Sequence, residues 1–572
     1  MRYKLIAFNA RFIHSCLALF YVRTALEDNL LGCRPEIKQF TINDPYYPTL
    51  RNIGSGEPAA LFFSVYIWSS NYIQRLVGDL ARLLPDTPII LGGPQAGALT
   101  RGLDPEASRL CTLVEGEIEG VDKSFYQELS DNNLQGKYKS SKVSNFKSPY
   151  RPDDFAGLLA NRHIYYESSR GCPYACAYCL SASERGVRHL PDSQVYAEIE
   201  NILACRPKIL RFVDRTFNAL PERALNIWRF LAGQPGETLF HFEMAPDRFT
   251  EEMFEFLEQV GPGRFQFELG IQSTNPQTLE AINRKCDLEK LGPNILKLIS
   301  LDNIHIHLDL ILGLPHENRE SFLRSFRDVF NFGPHYLQMG LLKVLPGTPI
   351  SKAVEDYAMV VCKSPPYEIL ANMWIGAVEM EELFWFGECV EAFFNNRFFR
   401  SFWDYLRQTR EDIAAFFTGL SALCLDKGFW GRASTQELMS SLLLELIAGS
   451  PDQELLRELL IFDWLRSGHR YLPSHFEHEP LSHYKKILWD NMPLNHEGLY
   501  DYRSRDEFFK QGVFAQFSGH LLKVTGLSGD GQPSFVCFQS TRESSVFKHS
   551  RVLLIPGQSI INSPDQSSWH KK

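Results

Sequence analysis

The sequence predicts an α/β protein in three parts: an N-terminal doubly wound parallel sheet, a partial (β/α)6 barrel, and a mainly helical C-terminal extension with a few terminal strands. Three observations predict it. Residues 1–125 alternate short apolar runs with amphipathic stretches, residues 161–350 repeat that alternation six times, and from about residue 351 apolar residues recur mostly at helical spacing. A polar stretch rich in Lys, Ser, Asn and Pro, residues 126–160, reads as the linker between the first two parts. The extension runs over 351–561, and the polar tail 562–572 reads as loose.

In the first part, strands are expected at Tyr3–Phe8, Ile37–Ile42, Ala60–Trp68, Pro88–Leu91 and Leu110–Val114, with helices at Leu17–Asn29 and Asn71–Leu84 between them. Such a Rossmann-like sheet binds ligands at the carboxyl ends of its strands. Gly92-Gly93-Pro94 follows the fourth strand and Glu115-Gly116-Glu117 the fifth, so both glycine clusters fall on that edge. A tight turn is the competing explanation of each pair.

In the second part, the strands read as His163–Ser168, Ile209–Asp214, Leu239–Ala245, Phe265–Ile271, Ile304–Leu312 and Tyr336–Val344, with helices such as Ser193–Ala204 and Glu222–Ala232 between them. Chemistry in barrels sits at the carboxyl ends of the strands. In the third part, Pro366–Met380, Glu381–Asn395, Arg400–Gln408, Glu411–Lys427 and Thr435–Gly449 read as helices, and Phe514–Phe517, Leu521–Thr525 and Phe535–Gln539 as short strands. The aromatic run Phe393–Trp403 reads as core before it reads as a pocket.

Composition bounds the rest. At 572 residues, with 44% hydrophobic residues and 42 Phe, the chain has material for several cores. The N-terminus has the pattern of a first strand rather than a signal peptide, and the apolar windows fall short of the ~20 residues that span a bilayer. A cytoplasmic protein without membrane partners is expected. A net charge of −9 does not favour nucleic acid as a partner.

The sharpest local signal is Arg170-Gly-Cys-Pro-Tyr-Ala-Cys-Ala-Tyr-Cys-Leu180, directly after the first barrel strand. A cubane iron–sulfur cluster is usually held by four thiolates, so the local set Cys172, Cys176 and Cys179 suggests a cluster with one iron left open to a small molecule. The rival is structural zinc, which needs a fourth Cys or His, usually as a second close pair. No second tight Cys group exists; the other nine cysteines, among them Cys16, Cys33 and Cys111, are scattered singly. A disulfide framework is not expected in such a chain.

This segment resembles the signature of the radical S-adenosylmethionine (radical SAM) superfamily, with Tyr178 in the aromatic slot before the last cysteine. The resemblance implies a [4Fe-4S] cluster on Cys172, Cys176 and Cys179, whose open iron chelates SAM and whose electron cleaves it to a deoxyadenosyl radical. It also implies an electron donor such as flavodoxin or ferredoxin. Later strand ends are similar to the superfamily's successive segments: Ile209–Asn218, Glu243, Phe267–Ser273 and Asp309–Glu317. The pattern implies SAM contacts at Asp214, Glu243, Gln272, Ser273 and Gly313. Ion-paired strand ends are the plainer reading of Glu243 and Asp309, and a turn glycine that of Gly313.

Ser64–Trp68, Leu91–Pro94 and Glu115–Glu117, ahead of that signature, resemble the cobalamin-binding domain of cobalamin-dependent radical SAM enzymes. The resemblance implies that the loops at Ser64, Gly92, Gly93 and Gly116 wrap the corrin and its tail. The Asp-x-His-x-x-Gly run that gives a histidine to cobalt in mutases is absent, and His14 is the nearest histidine in the chain. The C-terminal region resembles an uncharacterised extension of one branch of these proteins. A methyltransferase acting on an unactivated carbon is the function this implies first. Radical rearrangement or cyclisation, methylthiolation, and a non-catalytic cofactor sensor stand beside it. No motif specifies the substrate.

Overall fold

The computed structural model describes residues 1–183, 186–409, 412–492, 504–542 and 550–555, so the tail read at 562–572 lies outside the described residues. Two compact units emerge, residues 1–322 with 340–380 and residues 323–339 with 381–572.

In the first unit, six parallel strands form a sheet: β1 (Arg2–Asn9), β2 (Arg34–Thr41), β3 (Ala60–Ser64), β4 (Ile89–Gly92), β5 (Cys111–Glu115) and β6 (Lys137–Lys139), in the order β2-β1-β3-β4-β5-β6. Residues 3–9 of β1 and the whole of β3 are buried, as a parallel sheet covered on both faces requires. Helix Ser70–Leu83 places Ile73, Leu76, Val77 and Leu80 against Ile6, Phe63, Ile89 and Leu91. Because β2 and β3 flank β1, the strand order reverses there, which opens a crevice at the carboxyl edge.

Two expectations about this sheet are corrected. The stretch read as linker contributes the sixth strand, where two exposed lysines flank the single buried Tyr138, too short a run to show alternation. The third strand stops at Ser64 instead of Trp68, since the Ser69 N–H bonds the Tyr66 carbonyl (3.1 Å) and turns the chain. Tyr66 and Trp68 consequently stack on the loop, with ring centroids 4.5 Å apart.

The next strands are β7 (Ile164–Tyr166), β8 (Ser169–Cys172), β9 (Gly186–His189), β10 (Ile209–Phe212), β11 (Leu239–Met244), β12 (Phe265–Gln272), β13 (His305–Leu312) and β14 (Tyr336–Leu341). Six of them form the partial barrel in the order β14-β13-β12-β11-β10-β7, while β8 and β9 pair separately as an antiparallel ribbon. Strand β12 states the design: Phe265, Phe267, Leu269 and Ile271 are buried on one face, and Gln266, Glu268, Gly270 and Gln272 stay half-buried on the other. Trp228 from helix Pro221–Ala232 packs on the apolar face, 5.1 Å from the Phe267 ring and 6.1 Å from that of Phe242.

Within the second unit, helices Arg400–Gln408, Ile413–Asp426, Gln436–Leu446 and Gln453–Arg466 bury Phe402, Trp403, Phe417 and Leu459, so the aromatic run is core. A three-stranded antiparallel sheet follows, of Val513–Phe517, Ser534–Arg542 and Ser550–Ile555. Leu521–Thr525, read as a strand, lies instead in and just after helix Gly519–Val524, whose first turn is capped by the Ser518 hydroxyl accepting from the Leu521 N–H. Pro366–Met380 is not one helix either. It holds a short strand, Ile369–Ala371, and then a turn in which the Asn372 side chain accepts from the N–H groups of Trp374 and Ile375. Among the described residues no helix is long and apolar enough to cross a membrane.

Candidate active site

The cysteine loop leaves the barrel by way of β8, and its backbone is pinned from three sides. The Ala177 N–H donates to Ile282 (2.8 Å), the Ala177 carbonyl accepts from Ile350 N–H (2.9 Å), and Asn283 Nδ2 donates to the Ala175 carbonyl (2.9 Å). Arg284 Nη1 lies 3.8 Å from Cys176 Sγ, and its other terminal nitrogen donates to the Gly270 carbonyl. Burial works against the Arg284 charge, yet Tyr178 and Cys176 hold its pKa above the ordinary value. A tetrahedral zinc site with ~2.3 Å bonds brings sulfurs to roughly 3.8 Å of each other. Among the described residues, Cys172, Cys176 and Cys179 do not form a set with all donor atoms within 4.8 Å, so their sulfurs are not gathered as around a single tetrahedral ion.

A cavity of about 840 Å³ opens beside this loop. Its wall contains Ser64, Gly92, Gly93 and Gly116 from the carboxyl edge of the N-terminal sheet, Gly171 and Leu180 from the ends of the cysteine segment, and Glu243 from β11. Its size suits a large organic ligand. Ser64 Oγ is buried there with no hydrogen bond of normal geometry, a polar group that a ligand would satisfy. Gly92 has room for a Cβ, which would meet the Val114 carbonyl oxygen at 3.9 Å, an ordinary van der Waals contact. Gly93 and Gly116 have other reasons to be glycine: their φ angles are +99° and +97°, and a Cβ would meet Val65 O at 2.8 Å and the Ser140 hydroxyl. His14 also lines the cavity, with Nδ1 2.6 Å from the Tyr165 hydroxyl.

The remaining sequence-derived residues divide. Asp214 is 1% exposed and accepts from Ser168 N–H (3.0 Å), Ser168 Oγ (2.7 Å) and Ser169 Oγ (2.5 Å), so it fastens the start of the cysteine segment to the end of β10. Ser273 is fully buried and donates to Glu317 (2.6 Å), tying the end of β12 to the turn that begins at Gly313. Gln272 ends β12 with φ +75°, and the Gly313 carbonyl accepts from Asn372 (3.0 Å). Of the SAM-contact set, Glu243 reaches the cavity wall and Asp214, Gln272, Ser273 and Gly313 do not.

Sequence reasoning missed Arg170, although it stands two residues before Cys172. Its guanidinium reaches Glu117 (2.8 Å), Glu119 (2.9 Å) and Glu167 (2.9 Å) and lies over the Phe146 ring. Arg188 from β9 also pairs with Glu117. Burial opposes ionisation of Glu117, but Arg188, the Val143 N–H and Arg170 together hold its carboxyl below the usual range. A single arginine beside three separated glutamates has no periodic signature; only the Glu-Gly-Glu spelling after the fifth strand pointed towards it.

Two outcomes follow from these charges. Arg170→Ala leaves three carboxylates facing each other at a mostly buried position, so unfolding free energy should fall by about 3 kcal/mol in a urea titration, and Arg170→Lys should recover only part of it. Glu243 is pushed up to about 7, first by burial and then by the charge of Glu268. Its folded value lies above its unfolded one, so the stability it lends is present at low pH and lost as pH rises from about 4.5 to about 7. Glu243→Gln should therefore gain about 2–3 kcal/mol relative to the parent between pH 5 and pH 8, read by denaturant unfolding at both pH values.

Comparison with known proteins agrees with this geometry. Residues 166–329 match the radical SAM superfamily, and residues 355–528 match a family described as a protein of unknown function (DUF4080). The chain is 25% identical over 349 residues to the cobalamin-dependent radical SAM methyltransferase TokK of Streptomyces tokunonensis, an alignment covering 54% of this chain and 50% of TokK. It thus spans about half the length of the curated relatives it matches. The structure of the cobalamin-dependent SAM radical enzyme OxsB with aqua-cobalamin and SAM bound matches at a TM-score of 0.54 and 14% identity, over 81% of this chain and 78% of OxsB. That of the radical SAM methyltransferase TsrM from Kitasatospora setae, with cobalamin and a [4Fe-4S] cluster bound, matches at 0.51 and 16% identity, over 64% of this chain and 78% of TsrM. At these identities the structural likenesses establish the fold. Residues 166–329 thus carry a radical SAM domain and residues 355–528 a DUF4080 domain, behind an N-terminal doubly wound sheet.

Proposed function

We propose that this chain is a cobalamin-dependent radical SAM enzyme that methylates an unactivated carbon of its substrate. The observation that carries the reading is the shared cavity: the glycine edge of a doubly wound sheet and the ends of the cysteine segment line one space of about 840 Å³. In this reading Cys172, Cys176 and Cys179 hold a [4Fe-4S] cluster, with Tyr178 beside them, and the loops at Ser64, Gly92, Gly93 and Gly116 hold the corrin. Bound there, the cluster would supply the electron that cleaves SAM, and cobalamin a transferable methyl group.

The chain's own residues have definite tasks in this reading. Arg284 offsets negative charge at Cys176, and the Ala175–Ala177 backbone bonds fix the loop before any cofactor binds. Asp214 and Ser273 act as positioning residues for the SAM-facing segments, while Glu243 borders the reacting space. The Tyr165 contact occupies only Nδ1 of His14, so the reading of cobalt without a histidine ligand rests on the missing Asp-x-His-x-x-Gly run. Methylthiolation, which needs a second cysteine set, has little support, because Cys16 lines the cavity at the carboxyl edge of the N-terminal sheet while Cys33 immediately precedes β2 and Cys111 begins β5. A reducing flavodoxin or ferredoxin is the electron donor proposed, and the cytoplasm the compartment.

Anaerobically reconstituted protein should bind about four irons per chain and convert SAM to 5′-deoxyadenosine under reducing conditions. The Cys172→Ala, Cys176→Ala, Cys179→Ala variant should do neither. Supplied with SAM carrying a labelled methyl group and an extract of its source cells, the enzyme should pass the label to a product carbon; deoxyadenosine without labelled product points to rearrangement or cyclisation instead. For cobalamin, Gly92 is the discriminating position, because it lines the cavity, has no left-handed φ, and a Cβ there makes no contact tighter than 3.9 Å. Gly92→Leu should abolish cobalamin uptake while leaving iron content and the unfolding midpoint close to the parent's, and unchanged uptake would remove the N-terminal sheet from the cobalamin site.

A further inference from the structure

The half-buried face of the barrel strands carries a second cluster of ligating side chains, away from the cysteines. Parallel register places Glu243 beside Glu268 and Glu268 beside His307, and period-two alternation puts Asp309 on the same face as His307. His241 and Arg211 lie next to each other one step towards the strand starts. The donor atoms of Glu268, His307 and Asp309 all fall within 4.8 Å of one another, with His307 Nε2 2.8 Å from Asp309 Oδ1.

The Glu268 carboxylate is surrounded but loosely held. Its ionic neighbours stand at 3.3 Å (His241 Nε2), 3.7 Å (His307 Nδ1) and 3.8 Å (Arg211 Nη2), whereas charge-assisted hydrogen bonds run at about 2.7–2.9 Å. Arg211 is turned instead onto His241 Nε2 at 2.8 Å. His241, 2% exposed, keeps a buried Nδ1 with no hydrogen-bond partner. An under-bonded carboxylate, a second carboxylate and an imidazole on three positions of two rigid adjacent strands are a donor set rather than a finished ion-pair network.

We propose that Glu268, His307 and Asp309 bind one divalent first-row metal ion in the barrel, at a site separate from the cysteine cluster. One imidazole and two carboxylates suit manganese, ferrous iron, cobalt or zinc better than a thiophilic ion. Binding would exchange the proton between His307 and Asp309 for the ion and release it to solvent. Three protein donors leave further positions open, to water or to oxygen atoms of a bound substrate. The site does not depend on SAM cleavage, so it stands or falls separately from the proposed reaction.

Manganese(II) is the probe, since bound ion loses the sharp six-line electron paramagnetic spectrum of the free ion and the oxidised cubane cluster is silent. Titrated anaerobically, the full chain should take up one manganese per chain, and the Cys172→Ala, Cys176→Ala, Cys179→Ala variant should take up the same amount. His307→Gln and the isosteric Asp309→Asn should each weaken binding at least about tenfold, and zinc should displace the probe. Glu355→Gln, at an exposed position, should bind as the parent does. Far-UV circular dichroism identifies any variant that has not folded, and Asp309→Asn, closest in shape, then decides. Absence of uptake by the parent, uptake lost with the cysteines, or uptake indifferent to Asp309→Asn would each overturn the site.

Discussion

The Arg170 guanidinium is the tie on which the site depends. It gathers Glu117 and Glu119 from the loop after β5 and Glu167 from the end of the first barrel strand, at 2.8–2.9 Å, and lies over the Phe146 and Tyr21 rings. Mostly buried ion pairs of this kind repay their desolvation only when the geometry is good and several bonds are made at once; here three carboxylates share one planar fork. The consequence is positional. The carboxyl edge of the N-terminal sheet and the start of the cysteine segment are held against each other, so one cavity is lined by both.

Around that tie, polar side chains do positioning work that leaves the cysteines free. Asp214 spends its carboxylate on the Ser168 and Ser169 backbone and hydroxyls, and Ser273 spends its hydroxyl on Glu317. Both are buried groups with satisfied bonds, which rigidify a local geometry. Two residues that motif reading treats as ligand contacts thus have buried partners within the chain. Glu243 is the exception, half-buried, facing the cavity and shifted towards neutrality.

The barrel strands show how one alternation serves two ends. One face of β12 supplies Phe265, Phe267, Leu269 and Ile271 to the core around Trp228, and the other supplies Gln266, Glu268 and Gln272 to the interior. Burial of the aromatic face at about 25 cal/mol per Å² stabilises the sheet and offsets the cost of keeping titratable groups half-dry on the opposite face. That is why Arg211, His241, Glu268, His307 and Asp309 can meet inside a stable sheet.

The sequence by itself determined the α/β class, the parallel sheet over the first 115 residues, the six strand–helix units and the cysteine loop after the first of them, because hydrophobic period and the 3-2 cysteine spacing are local properties. It also located Gly92, Gly93 and Gly116 at one edge, since strand ends are readable from where apolar runs stop, but it left Ser64 inside a third strand that in fact ends there. It did not yield β6, whose three residues bury one tyrosine, nor helix Gly519–Val524, whose cap is a single serine hydroxyl. Tertiary structure alone decided which polar groups meet. Arg170 finds Glu117 across 53 residues, and His241, Glu268 and His307 come together through strand register. Partners so far apart in the chain are chosen by how the strands pair and how the layers close, and nothing in the neighbouring residues of any one of them encodes that choice.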